Sequence, residues 1–139
     1  MSNLVHASIR NMGRFTIHPL ALGCWRLVGM PAAQAQACYE AALDADMNLV
    51  DTADVYGFDW GGYGFGDAEQ LLGQVLRSAP GLRERMVLAS KGGIVPGVPY
   101  DTAALRGACE ASLQRLGVEQ IYLYQIHRPD LLTHPQETA

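Results

Sequence analysis

The sequence predicts an α/β domain built on a parallel sheet. Apolar β-type runs alternate with helical patterns from about residue 20 onward. The runs are apolar on both sides, as strands are when helices cover one face and more protein covers the other. The connections between runs carry helix signatures, which makes each unit βαβ and the strands parallel with right-handed crossovers.

The elements follow in order. Residues 1–12 carry no pattern and are expected to be frayed. GRFTIH (13–18) can form one arm of a short hairpin, and LALGCWRL (20–27) reads as the first buried strand. Pro31 suits the first turn of a helix, with Ala35, Cys38, Tyr39 and Ala42 at helical spacing behind it. NLVDTADVY (48–56) is a second strand. GFDWGGYGFG (57–66) has five glycines in ten residues, so it reads as loop. Asp67 is placed to cap the next helix, where Leu71, Leu72, Val75 and Leu76 make one apolar face. MVLAS (86–90) is a third strand, ended by Lys91-Gly92-Gly93. Asp101 is a good N-cap for a helix that turns Leu105, Ala108, Leu113 and Leu116 inward and stops at Gly117. IYLYQI (121–126) is a fourth strand, and HRPDLLTHPQETA holds a loop and the start of another helix.

Composition narrows the function classes. The chain has 139 residues, enough for one domain with a core. Apolar residues are 49% and charged residues 17%, which excludes a disordered chain. A net charge of −4 argues against nucleic acid or an anionic membrane as the main partner. No apolar stretch approaches the roughly 18 residues of a spanning helix. The first residues lack an apolar signal core. Cys24, Cys38 and Cys109 are odd in number and far apart, which predicts reduced thiols in a cytoplasm. No CxxC or HExxH spacing suggests a metal site.

Asp51, Tyr56, Lys91 and His127 carry the candidate chemistry. Each follows on, or sits within, one of the apolar runs. Catalytic groups collect at the carboxyl ends of parallel strands. Taken singly, each has an ordinary reading: a turn aspartate, a packed tyrosine, a solvated lysine, a structural histidine. Together, at the same end of a curved sheet, they would converge. A tyrosine hydroxyl ordinarily titrates near about 10, too high for an efficient acid at neutral pH. A nearby ammonium would lower it, an aspartate would hold the ammonium, and a histidine would orient a carbonyl. No side-chain nucleophile is evident, so the incoming group is expected to be a hydride from a nicotinamide.

LALGCWRL, NLVDTADVYG, GDAEQLLGQVL, RERMVLASKGG and LYQIHRPD resemble, in order, the successive signatures of the aldo-keto reductases. The resemblance covers about residues 14–139. It implies a (β/α)8 barrel of the TIM type, with about the first four of eight units present, and NADP(H)-dependent reduction of a small carbonyl substrate. By the same resemblance Tyr56 is the general acid, Lys91 tunes it, Asp51 holds Lys91 and His127 steers the carbonyl. Gly23, Cys24 and Trp25, with Asp51, fall where the family meets its cofactor, and Cys24 departs from the threonine often found there. Arg26 reads either as a structural charge or as part of this loop. The glycine-rich segment lacks the GxGxxG pattern and is expected to be a mobile loop over the mouth. The alternative is that Phe58, Trp60, Tyr63 or Phe65 lines a substrate pocket.

A complete barrel of this type needs roughly 250 residues. The chain is therefore expected to be a truncated half-barrel that lacks most of the cofactor site. An open sheet with exposed edges would self-associate or pair with a C-terminal half. Two functions stay open: a carbonyl reductase, and a catalytically inactive half-barrel serving only as an assembly module.

Overall fold

The computed structural model describes residues 8–58, 60–94, 102–128 and 133–138. Two short antiparallel strands open the chain, β1 (Arg10–Met12) and β2 (Phe15–Ile17), joined through Gly13 at φ 58°. A four-stranded sheet follows: β3 (Leu22–Gly23), β4 (Leu49–Asp51), β5 (Val87–Gly92) and β6 (Leu123–Ile126). Its order is β3-β4-β5-β6 and every pairing is parallel. Strands adjacent in sequence are thus adjacent in space, the order in which a barrel is built.

Helices α1 (Ala32–Asp44), α2 (Asp67–Ser78) and α4 (Thr102–Leu116) form the crossovers. A five-residue α3 (Gly81–Arg85) precedes β5, and α5 spans Pro135–Thr138. The core lies between the sheet and the helices: Val50 and Leu88 meet Tyr39, Leu43, Leu72, Val75, Leu76 and Leu116. Side chains alternate along a strand, so Asp51, next to Val50, and Lys91, three residues after Leu88, point to the opposite face. Gly73 lets α2 and α4 approach, since a Cβ there would strike the carbonyl oxygen of Arg115.

The hairpin docks at the other end of the sheet. Asn48, just before β4, accepts the His18 N–H at 3.0 Å and donates to the Thr16 carbonyl at 2.9 Å. Phe15 packs on Tyr122, just before β6, with ring centroids 5.0 Å apart. The amino ends of the strands are therefore covered, and the carboxyl ends hold the candidate site.

Five expectations are corrected. The strand expected over 48–56 is only Leu49–Asp51; the chain then turns at 54–57, with the Tyr56 N–H on the Ala53 carbonyl at 3.3 Å. Arg10–Met12, expected to be frayed, is a strand paired with β2, because Arg10, Asn11 and Met12 find partners in Ile17, Thr16 and Phe15. The strand expected over 20–27 is only Leu22–Gly23; Trp25–Leu27 wind into a 3-10 turn, with the Leu27 N–H bonded to the Cys24 carbonyl at 3.0 Å. Lys91 lies within β5, since the ladder with β6 runs on through Gly92. Asp67 is not the cap: Gly66, left-handed at φ 85°, starts α2. Asp101 lies outside the described residues.

Candidate active site

Three strand ends bring Asp51, Lys91 and His127 to one rim. Asp51 closes β4, in register with Ala89, while Lys91 sits beside Gln125. The Lys91 ammonium donates to Asp51 Oδ2 at 2.6 Å and to the Thr52 carbonyl at 2.8 Å. Gln125 donates to the other Asp51 oxygen at 3.2 Å. The carboxylate is thus gripped from β5 and β6, and a half-buried Lys–Asp pair gains from the reduced screening there.

Tyr56 arrives from the turn after β4. Its own N–H reaches the Ala53 carbonyl at 3.3 Å, and its carbonyl accepts the Ala68 N–H of α2 at 3.1 Å. Lys91 Nζ lies over the Tyr56 ring, 4.8 Å from its centroid. His127 meets the same ring edge-on, with centroids 5.8 Å apart. The His127 N–H is tied to the Gly92 carbonyl at 2.8 Å, which fixes the backbone beyond β6.

Burial, then Lys91, then Arg128 push the His127 pKa down, against a smaller upward pull from Asp51. The imidazole is therefore favoured in its neutral form. Its Nδ1 is buried and has no hydrogen-bond partner among the described residues.

The first βα loop forms one wall. Trp25 stacks on Tyr56 at 6.3 Å between centroids, and Trp60 of the glycine-rich loop meets Trp25 edge-on at 6.4 Å. The Arg26 guanidinium lies 4.4 Å from the Trp25 centroid and 3.7 Å from that of Trp60. Cys24 turns the other way. It is fully buried, it accepts the Tyr39 hydroxyl at 3.7 Å, and burial lifts its thiol to about 12. Its thiol is an inert core group, so at this position only the backbone can face a ligand. Gly23 is open, with nothing within 4 Å of where a Cβ would sit.

The glycine-rich loop is tied down. Asp67 Oδ2 accepts the N–H groups of Tyr63 at 2.5 Å and Gly64 at 3.2 Å. Gly61, at φ 64°, passes so close to Val28 that a Cβ would lie 2.7 Å from its carbonyl oxygen. Trp60 is thereby set beside Trp25. Phe58 and Phe65 pair with each other at 5.4 Å, and Tyr63 is fully exposed.

Sequence reasoning missed Gln125, Asp54, Glu69 and Arg115. Asp54 is 5% exposed; burial, then Glu69, raise its carboxyl to about 6. Glu69 is fully buried on a salt bridge to Arg115. A signal existed for Glu69: it lies three and seven residues before Leu72 and Leu76, on the apolar stripe of α2. Two clefts, of about 350 and 620 Å3, lie elsewhere, one beside α2 and one at the hairpin end. Neither is lined by the four candidate residues.

Residues 19–139 match the profile described as the aldo/keto reductase family. This chain belongs to the aldo-keto reductase family. Its relatives include a 6-dehydroglucose reductase of Novosphingobium aromaticivorans, 54% identical over 138 residues, covering 95% of this chain and 45% of that protein. A second 6-dehydroglucose reductase, from Agrobacterium fabrum, is 36% identical and covers 86% of this chain and 43% of that protein. Among solved structures, the holo form of the aldo-keto reductase AKR11C1 from Bacillus halodurans superposes with a TM-score of 0.74 at 27% identity. The match covers 96% of this chain and 44% of that one. This aldo-keto reductase chain thus spans less than half the length of the relatives it matches. Its four parallel strands are a segment of the family's TIM-type barrel.

Proposed function

We propose that the protein reduces a small aldehyde or ketone with NADPH, with Tyr56 as general acid. The observation that carries this reading is the meeting of Lys91 with both Asp51, at 2.6 Å, and the Tyr56 ring, at 4.8 Å. Tyr56 gives its proton to the carbonyl oxygen. Lys91, held by Asp51 and Gln125, offsets the negative charge left on the phenol oxygen. His127, favoured in its neutral form and edge-on to Tyr56, steers the carbonyl.

The residues at the rim fit a nicotinamide. Gly23 leaves a strand end free of side chain, and Trp25 is 36% exposed beside Tyr56. Gly23, the Cys24 backbone, Trp25 and Asp51 would border it; when bound, it supplies a hydride to the carbonyl carbon. Two relatives are named for 6-dehydroglucose, which favours a sugar-derived aldehyde as substrate. The exposed Trp25 and Trp60, with Arg26 between them, suit a ligand that has both apolar faces and hydroxyls. We place the protein in the cytoplasm, on its three free cysteines. No helix among the described residues is long and apolar enough to cross a membrane.

Tyr56→Phe is the test. Carbonyl reduction, read as loss of NADPH absorbance, should fall about 10²–10⁴-fold, with NADPH affinity unchanged. Activity retained in this variant would remove Tyr56 from the reaction. The alternative reading is an inactive assembly module. Failure of the chain to quench its tryptophan fluorescence at millimolar NADPH would select it.

A further inference from the structure

Behind the sheet, on the helix side, lies a polar cluster that the proposed reaction does not use. Glu69 is fully buried. Its Oε2 accepts Arg115 Nε–H at 2.7 Å, and its Oε1 accepts the Ser90 hydroxyl at 2.5 Å. Arg115 also donates to Ser112 Oγ at 3.2 Å. The Arg115 side chain is pressed against Gly66, where any Cβ would strike it. Such a pair is a weak source of stability, because the cost of desolvating two charges offsets much of their attraction. What it does supply is fixed geometry at both ends.

The position of that geometry is informative. Ser90 immediately precedes Lys91 on β5. Glu69 sits in the first turn of α2, next to Ala68, whose N–H holds the Tyr56 carbonyl at 3.1 Å. Gly66 N–H holds the Asp54 carbonyl at 2.5 Å, and Asp54 N–H holds the Lys91 carbonyl at 3.0 Å. One helical turn is therefore bonded both to the strand end that carries Lys91 and to the turn that carries Tyr56. Ser90 and Lys91 point to opposite faces of β5, so a pull on Ser90 from behind moves the ammonium in front.

We propose that Glu69, braced by Arg115, is a positioning residue that sets Lys91 against Tyr56. This rests on the catalytic reading above. Glu69 is not itself a catalytic residue; its carboxylate faces away from the rim and reaches the chemistry only through Ser90 and the first turn of α2. It explains why an acidic residue occupies the apolar stripe of α2 at the level of the site. Small displacements of a catalytic group cost rate steeply, so a rigid brace behind Lys91 has a kinetic consequence.

Glu69→Gln in the full chain tests it, with Ser90→Ala and Arg115→Lys beside it. Glu69→Gln should lower kcat about 10–100-fold, with KM for the carbonyl within two-fold. Ser90→Ala should do the same to a smaller degree, and Arg115→Lys should retain more activity than Arg115→Leu. A second readout needs no activity. The His127 ring, titrated by 1H–15N NMR, is held down partly by Lys91, so it should titrate at higher pH when Lys91 withdraws. Loss of melting temperature alone, with kcat and the His127 titration unchanged in Glu69→Gln, would overturn the proposal. If Glu69→Gln does not fold, Ser90→Ala decides by the same two readouts. Wild-type behaviour in Glu69→Gln, Ser90→Ala and Arg115→Leu, with Tyr56→Phe inactive, would remove the brace and leave the catalytic reading standing. An active Tyr56→Phe would remove the catalytic reading itself.

Discussion

Asp54 shows how burial converts an ordinary residue into a sensitive one. It lies between Asp51 and Tyr56, and its Oδ1 is buried without a partner among the described residues. Its carboxyl is raised to about 6. A raised carboxyl binds its proton more tightly in the folded chain than in the unfolded one. Stability therefore falls as pH rises from the ordinary carboxylate range to about 6, and stays lower above it. A shift of this size corresponds to about 2–3 kcal/mol. Asp54→Asn should raise the urea midpoint at pH near 8 and leave it unchanged at pH about 2.5, well below the ordinary carboxylate range, where Asp54 is protonated in both states. An equal gain at both pH values would mean that packing, and not charge, sets the cost. The candidate quartet was readable at this scale because titratable side chains at strand ends are conspicuous. Asp54 was not, since nothing in a lone polar residue says that it will be buried. Cys24 invited a ligand reading from its place after β3, but only the packed position of Tyr39 shows that its thiol turns inward.

At the level of elements, α2 organises the site. Its first turn bonds to Tyr56 and Ser90, Asp67 clamps the glycine-rich loop, and its far side packs on α4. Gly73 is the contact point. A Cβ there would meet the backbone oxygens of both Arg115 and Leu116, and backbone cannot rotate aside. Gly73→Ala should therefore destabilise the chain by about 1–3 kcal/mol, despite alanine's better helix propensity. A chemical denaturation midpoint equal to or above wild type would show that the helices can separate freely. The helices and parallel strands were legible from apolar periodicity, whereas their ends were not. Lys91-Gly92 reads as a strand stop, yet the ladder with β6 continues through it. The glycine-rich segment reads as loop, and its glycines are what let it lie close against Val28 and Gly29.

For the whole molecule, the sheet order matters most. β5 is buried along almost its whole length, while β6 is half-buried and Ile126 is 41% exposed. Among the described residues β6 pairs only with β5, so its outer edge offers unpaired backbone groups. Expressed as these 139 residues, the chain should associate through that edge, with itself or with a separately supplied C-terminal half of the barrel. Size-exclusion chromatography with light scattering would read this as a species above 15.1 kDa. A stable, well-folded monomer that ignores an added C-terminal half would refute it.

The sequence by itself determined the α/β alternation, the parallel sheet and the four polar residues at its carboxyl end. These depend on local periodicity and on residue type, both visible along a linear chain. The tertiary structure alone decided which polar groups are buried, that Cys24 faces the core, and that one turn of α2 grips both Lys91's strand and Tyr56's turn. Those facts depend on contacts between residues up to dozens of positions apart, such as Arg115 with Glu69, and no local pattern encodes a distance across the fold.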